Sequence, residues 1–169
     1  MKNIEHKDIQ GSMGSSGKLN LHEFDFGVVS SNVRKSMRGN KGSNTKPELL
    51  VRQRLWDAGL RGYRLHWKVA GHPDIAWPGK KVALFVNGCF WHRCPHCKPS
   101  MPKSNVEYWV VKFDLNQERD ARKIRELEEA GWKVHVIWEC QLKKRTIDQT
   151  FEELLPVLAE ELGKPLASE

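Results

Sequence analysis

The stretch VNGCFWHRCPHCKPS, from Val86 to Ser100, crowds three cysteines and two histidines into one loop. A fourth cysteine, Cys140, stands far along the chain, just past a separate strand-like run. Cys94 and Cys97 have the two-residue spacing that suits chelation by a pair of thiolates, and Cys89 lies a few residues upstream. If all four cysteines meet, the ends of two distant strands must lie side by side, and few folds satisfy that demand. A four-thiolate zinc site (Cys89, Cys94, Cys97, Cys140) is the first reading. His96 or His92 in place of one thiolate is the second. A coordinatively full site leaves no position for substrate, so the zinc expected here is structural and ties the loop to the sheet.

Two disulfides would also use four cysteines. The N-terminal residues MKNIEHKDIQGSMG lack the apolar core of a secretory signal, and no window reaches membrane-spanning length. The expected setting is therefore cytoplasmic, where clustered cysteines serve as metal ligands more often than as bridges.

The apolar pattern around the loop predicts one α/β domain, which suits a chain of 169 residues. PELLVRQRLWDAG reads as a helix capped by Thr45 or Asn44, with Val51, Leu55 and Ala58 inward and Gly59 closing it. YRLHWKVAG alternates like a strand, with Tyr63, Leu65, Trp67 and Val69 on one side. A short strand carrying Asp74 follows, then a turn at Pro78-Gly79. Val82–Val86 is a continuous apolar run, expected to be covered on both faces. Ser104 and Glu107 have capping-box spacing for a helix from Asn105 that carries Tyr108 and Trp109. Helical character resumes in ERDARKIRELEEAG, with Ala121, Ile124 and Leu127 inward. WKVHVIWE is a further strand, and a last helix places Phe151, Leu154, Leu155 and Leu158 inside, with a kink at Pro156.

A net charge of +7 favours a polyanionic partner, nucleic acid before acidic membrane. Arg34, Lys35, Arg38, Lys41 and Lys46 concentrate that charge in a polar stretch that either lies along a phosphate backbone or is a solvated leader. No glycine-rich phosphate loop is present, since GHPDIAWPGK lacks both the spacing and the Ser/Thr. Phe90 and Trp91, between two metal ligands, form either a small core around the metal or a surface that stacks on bases. Asp74, Glu48 and His92 are the candidates for chemistry. Two carboxylates can hold Mg²⁺ with waters, and a histidine beside them can move a proton. Each also has a plain alternative: Glu48 as a helix-terminus charge, Asp74 as a turn residue, His92 as a ligand or surface group.

RGNKGSNTKPELLVRQRL, GHPDIAW, VNGCFWHRCPHC, YWVVKF and ERDARKIRELEEAGWKVHVIWEC, in that order, resemble the very short patch repair (Vsr) DNA mismatch endonucleases. The likeness runs from about Val33 to Lys144. It implies a restriction-endonuclease-like, PD-(D/E)xK-related fold with a central mixed sheet flanked by helices and a structural zinc site. A flexible arm (residues 1–32) would precede the endonuclease domain (33–163), with a short tail (164–169) after it.

By the same resemblance, Asp74 and the Val86 backbone carbonyl bind Mg²⁺, His92 is the general base or acid, and Glu48 acts through bound water. Asn87 stands where the family commonly has a supporting histidine, and Val86 where it often has threonine. The resemblance also implies that Cys89, Cys94, Cys97 and Cys140 hold zinc, and that Phe90, Trp91 and Trp109 intercalate. The basic stretch Arg34, Lys35, Arg38, Lys41 and Lys46 would grip the DNA backbone. The implied substrate is double-stranded DNA with a T:G mismatch left by deamination of 5-methylcytosine, nicked 5′ to the thymine. A cytosine-5 methyltransferase would be the functional companion, and a monomer would suffice. Two further possibilities are a sequence-specific endonuclease acting on intact duplex and a non-catalytic, zinc-stabilised DNA-binding module.

Overall fold

A computed structural model describes residues 42–167. The expected arm at residues 1–32, Arg34, Lys35, Arg38, Lys41 and the last two residues lie outside the described residues.

The first helix, α1, spans Lys46–Asp57 and begins as its sequence dictates. Thr45 is the N-cap, and Thr45 and Glu48 form a reciprocal capping box, with Pro47 in the first turn. Val51 and Leu55 are fully buried on one face, and Gly59, at φ +79°, turns the chain out of the helix. Burying a leucine such as Leu55 stabilises the fold by about 1.5–3 kcal/mol.

Four strands follow: β1 (Arg64–Leu65), β2 (Ile75–Trp77), β3 (Val82–Asn87) and β4 (Lys133–Trp138), lying side by side in that order. β1 pairs antiparallel with β2, and β2 antiparallel with β3. β3 pairs parallel with β4, from Val82↔Lys133 to Asn87↔Trp138. The sheet is therefore mixed, as expected.

The long strand predicted over Tyr63–Val69 shrinks to two residues. His66 adopts φ +46°, which breaks the pleat, and Leu65 and Trp67 are left exposed instead of sharing a buried face.

Two further helices complete the described chain. α2 (Val106–Glu129) connects β3 to β4 as the crossover that a parallel pair requires. It is one continuous helix, not two helical stretches. Its expected Ser104–Glu107 capping box is not formed: Asn105 occupies the cap at φ +53° and makes no side-chain cap bond. Ala121, expected inward, is exposed. The buried side of α2 is instead Phe113, Asn116 and Leu127.

α3 (Ile147–Leu162) runs through Pro156 as one continuous helix. Phe151 and Leu158 are buried, with Leu154 and Leu155 packed beside them. The residues after it fold back on α1, since the Ala167 N–H donates to the Ala58 carbonyl at 3.0 Å.

The main core lies between the sheet and the α1/α3 layer. Leu55, Leu60, Ile75, Leu84, Ile137, Phe151 and Leu158 meet there. Along β3, Val82 and Leu84 point into that core, while Phe85 and Asn87 open with α2 onto a cleft on the other face. No helix among the described residues is long and apolar enough to cross a membrane.

Candidate active site and metal centre

The parallel pairing of β3 with β4 solves the problem the cysteines pose. Asn87 and Trp138 are register partners at the ends of the two strands. Cys89 and Cys140, each two residues farther on, therefore emerge side by side. The sulfurs of Cys89, Cys94, Cys97 and Cys140 all lie within 4.8 Å of one another. Cys94 and Cys140 are 3.6 Å apart, and the Cys140 N–H points at the Cys89 sulfur from 3.2 Å. All four are free thiols, so there is no disulfide. A tetrahedron with Zn–S bonds of about 2.3 Å has edges of about 3.8 Å, and these spacings suit it.

Ionisation points the same way. Burial pushes the Cys89 and Cys140 thiols up from their ordinary range. Burial opposes ionisation of Cys94 too, but the Cys97 and His96 N–H groups and the neighbouring thiols outweigh it and hold Cys94 down. Packed thiols cannot all become thiolates without a cation among them, and a metal such as zinc is one this cluster can hold. Neither histidine takes a thiolate's place. The His96 ring lies edge-on to Trp138 at 6.4 Å, and His92 is engaged elsewhere.

On the open side of β3 a cleft of about 760 Å³ gathers Glu48, Asp74, Val86, Asn87 and His92. Five candidates that are scattered in sequence thus share one cavity. Glu48 is 4% exposed and held from several sides. It accepts from the Asn44 N–H at 2.9 Å and the Thr45 hydroxyl at 2.8 Å, and pairs with Arg52 at 3.0 Å. Asp74 immediately precedes β2, and its Oδ2 accepts the Val86 N–H at 2.8 Å.

Burial raises the Asp74 pKa against that hydrogen bond, and the negative charge of Glu48 adds to the rise. Two carboxylates in one cleft, one of them hard to ionise, suit a cation. Among the described residues only the cysteine group brings three or more ligating side chains together. A carboxylate with backbone oxygen and water is an all-oxygen donor set of the kind that suits Mg²⁺, Ca²⁺ or Mn²⁺.

His92 is oriented by a residue that the sequence reading passed over. Its Nδ1 is hydrogen-bonded to Asp120 Oδ2 on α2. Burial opposes ionisation of Asp120, but the His92 hydrogen bond, then the charges of His92, Arg119 and Lys123, hold its carboxyl below the usual range. One turn earlier, Asn116 donates to the Trp91 carbonyl at 3.1 Å, so α2 clamps the Phe-Trp-His loop at two points. Lys112, Arg119 and Lys123 line the same cavity. Burial and then the Arg119 charge keep the Lys123 ammonium below the ordinary lysine range. A signal for this face existed in the sequence: Asn116, Asp120 and Lys123 recur at helical spacing with buried Phe113 and Leu127.

Beside the cleft, Phe90, Trp91, Trp109 and Phe113 form a knot of rings. Phe90 packs edge-on to the other three with centroids 5.1–5.5 Å away, and Trp109 stacks on Phe113 at 5.4 Å. Only Phe113 is fully buried, while Phe90, Trp91 and Trp109 are half-buried at the rim. The cluster thus has a buried support in Phe113 and three rings whose faces are partly open at the rim. Lys46, the remaining described basic candidate, is exposed at the start of α1.

The family model described as DNA mismatch endonuclease Vsr matches residues 28–98. A type II nicking enzyme of Xanthomonas oryzae pv. oryzae is 43% identical over 107 residues, covering 63% of this chain and 78% of its own. A type II nicking enzyme of Neisseria meningitidis serogroup A is 43% identical over 103 residues, covering 61% and 74%. The DNA mismatch endonuclease Vsr of Escherichia coli K12 is 35% identical over 112 residues, covering 66% and 71%. The chain belongs to the Vsr family of DNA mismatch endonucleases and is a nuclease, a hydrolase of phosphodiester bonds.

Proposed function

We propose that this protein hydrolyses one strand of duplex DNA 5′ to the thymine of a T:G mismatch, in a Mg²⁺-dependent reaction. The observation that carries this is the shared cleft: Asp74, Glu48 and the His92–Asp120 pair meet in one cavity beside a half-exposed aromatic cluster. Asp74 and the Val86 carbonyl would hold Mg²⁺, with Glu48 reaching it through water. Magnesium there supplies positive charge to the scissile phosphate and to the departing 3′ oxygen.

The chain's own groups do the rest. Asp120 accepts the proton-bearing Nδ1 of His92, which leaves Nε2 free to take a proton from the attacking water. Asn87 lines the same cavity and can orient water or phosphate. Phe90, Trp91 and Trp109 wedge beside the mismatch, where a weak pair lowers the cost of unstacking. Arg34, Lys35, Arg38, Lys41 and Lys46 follow the backbone. Zinc on the four cysteines holds the loop that carries Phe90, Trp91 and His92. The domain spans residues 33–163 on a restriction-endonuclease-like plan, with an arm at 1–32 and a tail at 164–169. It acts as a monomer in the bacterial cytoplasm, on lesions left at sites of a cytosine-5 methyltransferase.

A non-catalytic DNA-binding module has no use for a histidine oriented by the half-buried carboxylate of Asp120. Relatives named as nicking enzymes favour single-strand cleavage over a double-strand cut.

The test is strand-specific cleavage of end-labelled duplexes carrying T:G, C:G or T:A in several methylation-site contexts, with Mg²⁺ or with chelator, beside Asp74→Ala. The expected result is a nick in the thymine strand of the T:G duplex alone, lost with chelator and in the variant. Cleavage of fully paired DNA would replace this proposal with a sequence-specific nuclease.

A further inference from the structure

Lys112, Arg119 and Lys123, the cations on the α2 wall of the cleft, have no role in the reaction described so far. Lys112, Asn116, Arg119, Asp120 and Lys123 fall three and four residues apart, so one face of α2 presents them all to the cavity. Asp74 and Glu48 line the same cavity. Lys123 is the member of this wall that is built in most firmly. Its aliphatic stem packs on the backbone of Gly71, three residues before Asp74. A Cβ at Gly71 would come within 2.9 Å of the Lys123 Cβ, and Gly71 itself adopts φ +75°. Glycine at that position therefore lets the loop carrying Asp74 close against the lysine.

The stem is thus fixed while the ammonium is under-used. Its ion pair with Asp120 is long, at 3.8 Å, and Asp120 already has His92 and lies 3.7 Å from Arg119. The Lys123 side chain stays 30% exposed, towards the cleft it lines. It also lies within electrostatic reach of Asp74. An ammonium offers three donors, and partial burial strengthens its pull on any anion that enters. A phosphodiester is the anion that the proposed reaction brings there.

We propose that Lys123 is a phosphate-binding residue of the active site, donating to a non-bridging oxygen of the scissile phosphate from the α2 wall while Asp74 faces it from the strand side. The inference rests on the proposed function, because it takes the scissile phosphate to lie in this cleft. Lys123 then has two partners in sequence: the carboxylates in the free protein, and the phosphate once DNA is bound. Its charge offsets the negative charge that develops on the phosphoryl oxygens in the transition state.

The experiment compares the full-length protein with Lys123→Met, which keeps the stem and removes the charge, and Lys123→Arg, which keeps the charge. Binding of a T:G duplex is measured in EDTA across a range of KCl concentrations, and single-turnover nicking is measured with Mg²⁺. Loss of one phosphate contact reduces the slope of log K against log salt by about 0.9. Loss of one donor to the transition state slows nicking by about 10²-fold. Lys123→Met is expected to show both changes, and Lys123→Arg to recover most of each. If the methionine variant melts well below the wild type, Lys123→Gln carries the same comparison.

An unchanged slope with slower nicking would make Lys123 only a positioning residue for Asp120 and overturn the proposal. A reduced slope with wild-type nicking would place the contact on another phosphate and overturn it as well. Wild-type protein that nicks no T:G duplex would fault the proposed function. Wild-type protein that nicks normally beside an equally active Lys123→Met would fault this inference alone.

Discussion

Asp120 on α2 is hydrogen-bonded to Nδ1 of His92, a residue of the zinc-side loop, across 28 positions of sequence. The bond couples the long crossover helix to the end of β3, so the position of one catalytic candidate depends on how α2 seats against the sheet. Asn116 reinforces the link through the Trp91 carbonyl. A histidine that must present Nε2 to water needs its other nitrogen fixed, and this pairing fixes it.

Asp120→Asn is expected to slow single-turnover nicking by about 10²–10⁴-fold, because an amide can donate to Nδ1 and favour the wrong tautomer. It also has a stability signature. The Asp120 carboxyl titrates below its ordinary range in the folded protein. Its stabilising contribution is therefore present above the unfolded value of about 3.9 and lost as pH falls through the folded value. Melting temperatures should show the variant below wild type at pH 7, with the gap closing towards pH 3. A gap that persists in acid would mean that the residue acts through packing instead.

Asp74 has the opposite sign. Burial raises its pKa, so the ionised form is a cost to the fold that appears as pH rises from the unfolded value through the folded one. Asp74→Asn keeps an oxygen for the Val86 N–H and removes the charge facing Glu48. It is expected to be inactive in nicking and to melt at a higher temperature than the wild type at pH 7. Near pH 3, where both forms are neutral, the difference should vanish. An inactive variant with a lower melting temperature at pH 7 would refute the claim that this carboxylate is held at the expense of stability.

Much of this site was legible in the sequence, and what escaped has identifiable physical causes. The cysteine spacing and the apolar run at Val82–Val86 suggested two adjacent strand ends, because Cys89 and Cys140 each follow a strand-like run and adjacent strands could bring them together. Thr45 and Asn44 were both open as the cap of α1, and it is Thr45 that takes the place, with Glu48 closing the box. The strand expected at Tyr63–Val69 did not form over that length because alternation says nothing about backbone hand, and His66 turns left-handed in the middle. Asp120 was hidden by the assumption that the inward face of α2 is apolar. Leu127 is buried and Ile124 lines the cleft as an inward face requires, but Ala121 is exposed, and its neighbour Asp120 turns to the cleft in its place. Polar side chains on a buried helix face are what an active site leaves in sequence, and they look like an imperfect amphipathic pattern.

The four sulfurs make a prediction about metal. Protein purified without chelator should contain about one zinc per chain, and Cys94→Ser should lose it. Cys94 is 2% exposed and its sulfur lies 3.6 Å from Cys140, so its loss opens the centre of the cluster. The loop between Cys89 and Cys94 carries Trp91 and His92, so metal loss is expected to abolish nicking as well as lower the melting temperature. Elemental analysis and a melting curve decide this. A zinc-free Cys94→Ser that still nicks at the wild-type rate would show that the metal has no part in holding His92.

The aromatic knot separates core from wedge by exposure. Phe113 is 2% exposed and supports the stack, while Trp91 reaches the rim of the cleft. Phe113→Ala should destabilise the fold by about 3–5 kcal/mol, the usual cost of emptying a buried phenylalanine site. Trp91→Ala should leave the melting temperature nearly unchanged and weaken binding to a T:G duplex by about 5- to 150-fold, since one lost base stack costs about 1–3 kcal/mol. A 2-aminopurine placed beside the mismatch reports the wedge directly. Its fluorescence should rise when wild-type protein binds and stay low with Trp91→Ala. If the fluorescence rises equally with both, the stack is opened by Phe90 and Trp109 alone, and Trp91 belongs with Phe113 in the small core that supports them.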